Sequence, residues 1–169
     1  MLLDVSRALK DPGQSYPFTA VAELEPTVVL DDPVSFANVK LSGELLGTGD
    51  AVKVYASVSG DVESRCARCL EPVTLHLDAE ITALFSRTPD ADDPDQYPME
   101  GYKIEVNDMA REALLLEMPM RFLCSEDCKG LCPVCGTNLN IAPCTCQEGG
   151  ARRNPFSALS DLLTKDEEV

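Results

Sequence analysis

The sequence predicts an α+β fold, in which an antiparallel β meander or open barrel is covered by one main helix and followed by a cysteine-rich segment. Apolar and polar residues alternate along several stretches between residues 36 and 85, which is the period of half-buried strands. A helical pattern follows at 107–118, and six of the eight cysteines come after it. We therefore divide the chain into a sheet domain with its helix (1–119), a cysteine-rich segment (120–148) and a short helix with an acidic tail (149–169).

The N-terminal part begins without a clear period. Prolines interrupt the short apolar runs of residues 1–33, so we predict irregular edge structure there. Alternation then predicts a strand from Phe36 to the turn at 47–50, and a second strand over 52–58 that ends at a turn formed by Gly60 and Asp61.

Two further strands complete the predicted meander. A third strand over 62–65 leads to Cys66, and a fourth runs from Val73 to Phe85 with the most regular alternation in the chain. Short connections between successive strands favour antiparallel neighbours. The first cysteine pair should therefore lie at the tip of a hairpin.

The covering helix is predicted after a proline-rich acidic loop (86–101) and a short strand (102–106). Asn107 is a predicted N-cap, and Pro119 ends the helix near residue 118. The predicted apolar face consists of Met109, Ala110, Ala113, Leu114 and Leu116.

The cysteines are the strongest chemical signal, because all eight fall in close pairs. Disulfides require an oxidising compartment, and a thioredoxin-like site would use a single Cys-x-x-Cys. Tetrahedral Zn²⁺ takes four thiolates, commonly two from each tight turn. The sequence therefore predicts two Zn²⁺ sites and a zinc-ribbon-like C-terminal segment, with these ligands: Cys66, Cys69, Cys124, Cys128, Cys132, Cys135, Cys144 and Cys146.

Two partitions of these ligands are open. The favoured one joins Cys66 and Cys69 to Cys124 and Cys128, which leaves the last four cysteines (132–146) as a self-contained site. The competing one places the four cysteines of residues 124–135 on one ion, which requires a twelve-residue segment to surround the metal alone.

Composition and motifs exclude several function classes. A net charge of −15 argues against a general polyanion-binding surface. We find neither a signal peptide nor a long apolar run, so we expect a cytoplasmic protein without a membrane partner. The single histidine, His76, lies on the polar face of a predicted strand, and no phosphate-binding or nucleophile motif occurs. We predict no catalytic residue, no small-molecule substrate and no enzymatic activity.

Local features provide candidate contact residues for RNA or a protein partner. Arg65 and Arg68 flank or enter the first cysteine pair, and Arg121 and Lys129 flank the later ones. This rim could bind phosphates, or it could balance the charge of a zinc–thiolate site. Near the C-terminus an apolar stripe with Phe156 and Leu159 could dock on its own domain or on a partner.

Five segments of the chain form a recognisable set: the run from Cys66 to Pro72 (CARCLEP), the acidic proline-rich loop, the helix ending in LEMP at 116–119, the segment DCKGLCPVCGTNLN and the segment NPFSAL at 154–159. Together they resemble the YceD family of large ribosomal RNA subunit accumulation proteins. The resemblance implies a cytoplasmic, non-enzymatic factor for 23S ribosomal RNA accumulation or processing and for ribosome biogenesis. It implies as partner a ribosomal RNA precursor or a large-subunit assembly protein.

Two other classes remain open from the residues alone. A redox-sensitive zinc chaperone also combines Cys-x-x-Cys with Cys-x-Cys, and its oxidation would release the metal. A zinc-ribbon adaptor of transcription or translation would be distinguished by the complex with which it co-purifies.

Overall fold

The structure is a computed structural model that describes residues 1–29 and 31–146. The chain divides into two compact units, Met1–Cys128 and a second unit that begins at Lys129. The division predicted at 1–119, 120–148 and 149–169 stays a prediction, and its last part lies outside the described residues.

The first unit contains the described helices and strands, which follow one another along nearly its whole length. In chain order they are β1 (Leu2–Asp4), α1 (Ser6–Lys10), β2 (Ser15–Val21), β3 (Thr27–Val29), β4 (Asp32–Gly47), β5 (Ala51–Arg65), β6 (Pro72–Ser86), β7 (Gln96–Glu100), β8 (Lys103–Glu105) and α2 (Asn107–Glu117).

The predicted α+β class with one main covering helix is wrong. Strands account for 48% of the structure and helices for 11%, and the sheet is a curled half-barrel accompanied by two short helices. Part of the difference comes from residues 1–33, where we expected irregular structure and where β1, β2 and β3 form. In addition, α2 buries only Met109, Ala110 and Leu114, so it covers little of the sheet.

Eight strands form the sheet in the order β1-β8-β7-β6-β5-β4-β2, and β3 pairs separately with β4. The predicted antiparallel meander is present as β4-β5-β6, whose long strands pair over most of their length. The short β7 lies parallel to β6, within the stretch predicted to be only a loop. Prolines hid β2 from the pattern, yet Pro17 is tolerated because β2 has β4 as its one neighbour.

The meander strands alternate between a buried and an exposed face as the sequence predicted. The predicted turn at Gly60 and Asp61 is wrong, however, because β5 continues through both residues to Arg65. Gly60 faces the core, where an added Cβ would lie 3.1 Å from Val39 and 3.4 Å from Leu114. The position is therefore occupied by glycine because the core leaves little room for a side chain. It is not a turn residue.

The helix α2 begins and ends close to the predicted residues, but its N-cap is different. Val106 occupies the cap position and no side chain caps the helix, whereas Asn107 is the first helical residue. The Asn107 side chain instead donates a 3.5 Å hydrogen bond to the backbone oxygen of Glu23. Leu116 is 85% exposed, so the buried face of the helix is shorter than predicted. None of the helices in residues 1–29 and 31–146 is long and apolar enough to cross a membrane.

A second, small apolar cluster prepares the position of the first cysteine site. Val34, Val62 and Phe122 are buried together, and Met118 packs against them. The backbone N–H of Ala67 donates a 2.8 Å hydrogen bond to the oxygen of Phe122. The segment after α2 is thereby fixed beside the connection between β5 and β6.

Candidate metal centres

The first cysteine pair lies in a tight turn between β5 and β6, as predicted. The N–H of Leu70 donates to the oxygen of Cys66 at 2.9 Å, and the N–H of Cys66 donates to the oxygen of Glu71 at 2.8 Å. Leu70 has a φ of 62°, a left-handed conformation that is uncommon for a residue with a branched side chain. The turn places the thiols of Cys66 and Cys69 within 4.8 Å of each other. Its conformation requires one strained residue, Leu70.

The second half of this site comes from the segment after Phe122. A hydrogen bond from the N–H of Cys128 to the oxygen of Ser125 forms a turn between Cys124 and Cys128. The Sγ atoms of Cys66 and Cys128 are 3.8 Å apart, and those of Cys69 and Cys124 are 3.6 Å apart. The four Sγ atoms of this first site all lie within 4.8 Å of one another.

These separations fit a tetrahedral ion and do not fit disulfides. Four sulfurs at about 2.3 Å from one ion are about 3.8 Å from each other, whereas a disulfide brings two sulfurs to about 2.05 Å. Cys66, Cys69 and Cys128 are buried and Cys124 is exposed. The first site could therefore hold a metal ion that is largely shielded from solvent.

The second site lies wholly within the second unit. Its ligand atoms, from Cys132, Cys135, Cys144 and Cys146, also lie within 4.8 Å of one another, with 3.4 Å between the Sγ atoms of Cys132 and Cys144. The N–H of Gly136 donates to the oxygen of Cys132 at 2.9 Å, and Gly136 has a φ of 74°. Glycine adopts this conformation without strain, so this turn lacks the cost that Leu70 carries in the first one.

The two sites differ in exposure. In the second site only Cys132 is buried, Cys135 is exposed, and Cys144 and Cys146 are half-buried. Sequence reasoning missed Thr137, whose hydroxyl lies 3.1 Å from the Sγ of Cys135. No pattern distinguishes this threonine from an ordinary loop residue, so only the structure reveals its contact with the thiol.

The pKa shifts of the thiols show how crowded negative charge would be in each site. Burial opposes ionisation of Cys66, but backbone N–H groups, with that of Cys124 first, more than offset it and lower the pKa of Cys66 to about 6. The Thr137 side chain lowers the pKa of Cys135 to about 6, and its neighbour Cys135 in turn raises the pKa of Cys146 to about 12. In the second site one thiolate thus suppresses the ionisation of another thiol, a conflict that a bound cation resolves.

The thiols meet in the favoured partition, in which the early pair joins Cys124 and Cys128. The spacing of each pair was readable from the sequence, because it reflects local turns. The meeting of pairs that lie 55 and 62 residues apart depends on packing of distant segments.

The candidate contact residues are in different situations. Arg68 donates from Nη1 to the backbone oxygens of Glu126 and Cys128, both at 2.9 Å. Arg65 ends β5 and Arg121 precedes Phe122, and both side chains are exposed. Lys129 begins the second unit. The assignment of these residues to RNA or partner contact stays a prediction, and Phe156 and Leu159 lie outside the described residues.

The histidine is placed as the sequence predicted, on the exposed face of β6. Its Nδ1 lies 2.7 Å from Oδ1 of Asp61, and Nε2 lies 3.8 Å from Oδ1 of Asp78. The hydrogen bond to Asp61 raises the pKa of His76. His76 is thus held by surface carboxylates and is no part of either cysteine cluster.

The fold and these sites define a class: a predominantly β protein with two four-thiol centres of the kind that hold structural metal ions. The family model described as "Large ribosomal RNA subunit accumulation protein YceD" matches residues 54–163. The chain belongs to this family, which confirms the resemblance given above.

Individual relatives extend the match toward the N-terminus. The chain is 30% identical to an uncharacterised Mycobacterium tuberculosis protein, Rv2926c, over 156 residues, covering 85% of this chain and 72% of the relative. It is 26% identical to the uncharacterised protein YlbN of Bacillus subtilis, covering 93% of each chain. It is also 25% identical to the chloroplastic "Large ribosomal RNA subunit accumulation protein YCED homolog 1" of Zea mays, covering 48% of this chain and 39% of the relative. No solved structure matches the chain.

Proposed function

We propose that this protein is a non-enzymatic zinc-binding factor that acts in 23S ribosomal RNA accumulation or processing and in assembly of the large ribosomal subunit. Membership of the YceD family is the observation that carries the proposal. The maize and Arabidopsis relatives bear the name of large ribosomal RNA subunit accumulation proteins, which supports the same process here. In a bacterial cell this work belongs to the cytoplasm.

Zinc is the metal that suits both sites best. Thiolate ligands disfavour Mg²⁺ and Ca²⁺, and a tetrahedral set of four sulfurs is typical of Zn²⁺ or iron. Bound Zn²⁺ would supply a fixed crosslink and no reaction, because four protein ligands leave no coordination position for a substrate. Within each site the cysteines bind the ion, while the surrounding backbone N–H groups orient the sulfurs and stabilise their charge.

Elemental analysis of protein purified without chelator tests the metal. We expect about two Zn²⁺ per chain, since there are two groups of four thiols. Iron in place of zinc would overturn the zinc assignment. A reproducible content below one metal per chain, with disulfides detected by mass spectrometry, would overturn metal binding altogether.

The partner is a ribosomal RNA precursor or a large-subunit assembly protein. The net charge of −15 favours a basic protein partner over extensive direct RNA binding. Arg65, Arg68, Arg121 and Lys129 are the candidate contacts in the described part of the chain. The apolar stripe with Phe156 and Leu159 is a separate candidate, proposed from sequence alone.

Deletion of the gene tests the process. We expect less 23S relative to 16S ribosomal RNA and an accumulation of incomplete large-subunit particles. The protein itself should sediment with precursors rather than with finished ribosomes. Normal RNA ratios and particle profiles in the deletion strain, at slow and fast growth, would contradict the ribosomal function.

A charge reversal tests the contact surface within that strain. Arg65→Glu should weaken sedimentation with precursors and leave the metal content unchanged, because this side chain is exposed at the end of β5. The matched control is Glu63→Lys, at another exposed position of β5. This substitution adds positive charge, so it should not weaken a contact made by basic side chains. If direct phosphate contact is involved, the association should also fall steeply with salt.

A second candidate is a redox-sensitive zinc chaperone, favoured by the exposure of Cys135 and by the lowered pKa of its thiol. An exposed thiolate is the form that peroxide oxidises. In this case mild peroxide treatment would release one zinc and would allow the protein to suppress aggregation of an unfolded client. Unchanged zinc content after such treatment would eliminate this candidate.

A further inference from the structure

The side chain of Arg68 joins the two halves of the first site outside the thiols, in addition to the backbone hydrogen bond from Ala67 to Phe122. Its Nη1 donates one hydrogen bond to the backbone oxygen of Glu126 and another to that of Cys128, each 2.9 Å long. The two acceptors lie 58 and 60 residues further along the chain. One nitrogen of the side chain therefore connects the β5–β6 turn to the turn that carries Cys124 and Cys128.

The nearby Arg65 provides a contrast. Its backbone ends β5 opposite Pro72 of β6, but among residues 1–29 and 31–146 its side chain makes neither a hydrogen bond nor an ion pair. The sequence grouped both arginines in one rim, but the structure gives them different surroundings. Only Arg68 has its donors directed at backbone atoms of the site.

We propose that Arg68 is a positioning residue for the first metal site, holding the turn of Cys128 in the conformation that completes the four-sulfur cluster. The proposal rests on the proposed zinc binding. Cys128 must bring its Sγ to within 3.8 Å of Cys66 while its own carbonyl faces the β5–β6 turn. A donor on that carbonyl and on the carbonyl of Glu126 fixes both peptide orientations before the metal arrives.

The backbone beside Arg68 is held to the same segment. Arg68 lies between the ligands Cys66 and Cys69, and the N–H of its neighbour Ala67 donates to the oxygen of Phe122 at 2.8 Å. The Arg68 side chain therefore extends from a turn whose backbone is already fixed beside the second cysteine pair. Outer contacts of this kind typically change metal affinity by about 10- to 100-fold when they are removed.

The second site provides an internal comparison. No arginine occurs between Lys129 and Cys146, so the described part of the second unit contains no equivalent side chain. Loss of the Arg68 side chain should therefore weaken one metal and leave the other unchanged. A general loss of folding would not produce such a selective effect.

The experiment uses full-length protein carrying Cys144→Ser and Cys146→Ser, so that only the first site remains to be measured. Into this background we would introduce Arg68→Met, Arg68→Lys and, as the matched control, Arg65→Met. Metal affinity is measured by competition with a chromophoric chelator. The thiolate-to-metal absorption of Co²⁺-loaded protein reports the geometry of the ligands independently of stability.

We expect Arg68→Met to weaken metal binding by about 10- to 100-fold and to speed its release, while Arg65→Met remains within about twofold of the parent. Arg68→Lys should recover part of the loss, since an ammonium group also donates to carbonyls but lacks the planar, pre-organised geometry of the guanidinium. A changed Co²⁺ spectrum in Arg68→Met at full occupancy would further support a positioning role.

Equal affinities for Arg68→Met and Arg65→Met would overturn the proposal, whether both are normal or both are reduced. If Arg68→Met does not fold, the comparison of Arg68→Lys with Arg65→Lys decides in the same way. A parent protein with four intact thiols that binds no metal would overturn the zinc function and this role together. Metal binding with no dependence on Arg68 would overturn only the role of Arg68.

Discussion

Removing the first cysteine pair tests the structural importance of the first site most directly. The double substitution Cys66→Ser and Cys69→Ser takes two of the four sulfurs from the cluster. Both side chains are buried, at 0% and 3% exposure, so the site cannot recruit other ligands without rearrangement. We expect the first site to lose its metal and the first unit to lose a substantial part of its stability.

The magnitude follows from the loops that a metal in the first site would close. Cys69 and Cys124 are 55 residues apart, and Cys66 and Cys128 are 62 apart. In the chain-entropy model for crosslinks, closing a loop of about 60 residues is worth about 4 kcal/mol. For a unit of this size such a loss corresponds to a melting temperature lower by roughly 10–20 °C.

The assay is thermal unfolding followed by far-ultraviolet circular dichroism at matched zinc concentration. The strand signal reports the first unit, because the described strands all lie between Leu2 and Glu105. The matched control is Cys144→Ser with Cys146→Ser. It removes sulfurs that close a loop of only 12 residues between Cys132 and Cys144, within the other unit.

The control should lose one metal, and its strand signal should melt at the same temperature as that of the parent protein. An unchanged transition in the Cys66→Ser, Cys69→Ser variant would refute the reasoning, because the crosslink would then contribute nothing to the sheet. An equal fall of the melting temperature in both variants would show instead that the two sites are not independent.

Three further substitutions test local features of the first unit. Leu70→Gly should keep the free energy of unfolding or raise it by up to about 1 kcal/mol, because glycine adopts the left-handed conformation without strain and the leucine side chain is exposed. Denaturant unfolding measures this change. A markedly lower free energy of unfolding would show that the leucine side chain is needed. Gly47→Ala should lower the free energy of unfolding by about 1–3 kcal/mol or more, because the added Cβ would lie 1.7 Å from the backbone oxygen of Ala8. Calorimetry measures the change. An unchanged melting temperature would show that α1 can move away from the added methyl group. The hydrogen bond to Asp61 raises the pKa of His76, so the pair stabilises fully below the unfolded pKa of about 6.5 and progressively less as the pH rises through the folded value. His76→Gln should therefore reduce stability more at about pH 6 than at about pH 9, and an equal effect at both would contradict the ion pair.

Long-range pairing explains most of the errors in the predicted fold. Alternation identified β6 almost to the residue and found both ends of β5, because each long strand has one buried face. Alternation could not reveal β2, whose proline is acceptable only on an edge strand, nor the parallel contact of β7 with β6. The turn predicted at Gly60 was wrong for a related reason. Whether a glycine turns the chain or lies under a helix depends on what packs above it, here Leu114 of α2.

The sequence by itself determined which side chains can carry chemistry in this protein and to which family it belongs: eight cysteines fall in close pairs, and several segments identify the YceD family. These signals are local, since a Cys-x-x-Cys turn has its shape wherever it occurs. The tertiary structure decided that the fold is mostly β, which pairs share a site, and that the Arg68 side chain donates to the backbone at Cys128 while the Arg65 side chain has no such contact. Those outcomes depend on apolar burial and hydrogen bonds between segments some sixty residues apart, as when Phe122 packs beside Val62 and accepts the N–H of Ala67. No short window of sequence contains both partners of such a contact.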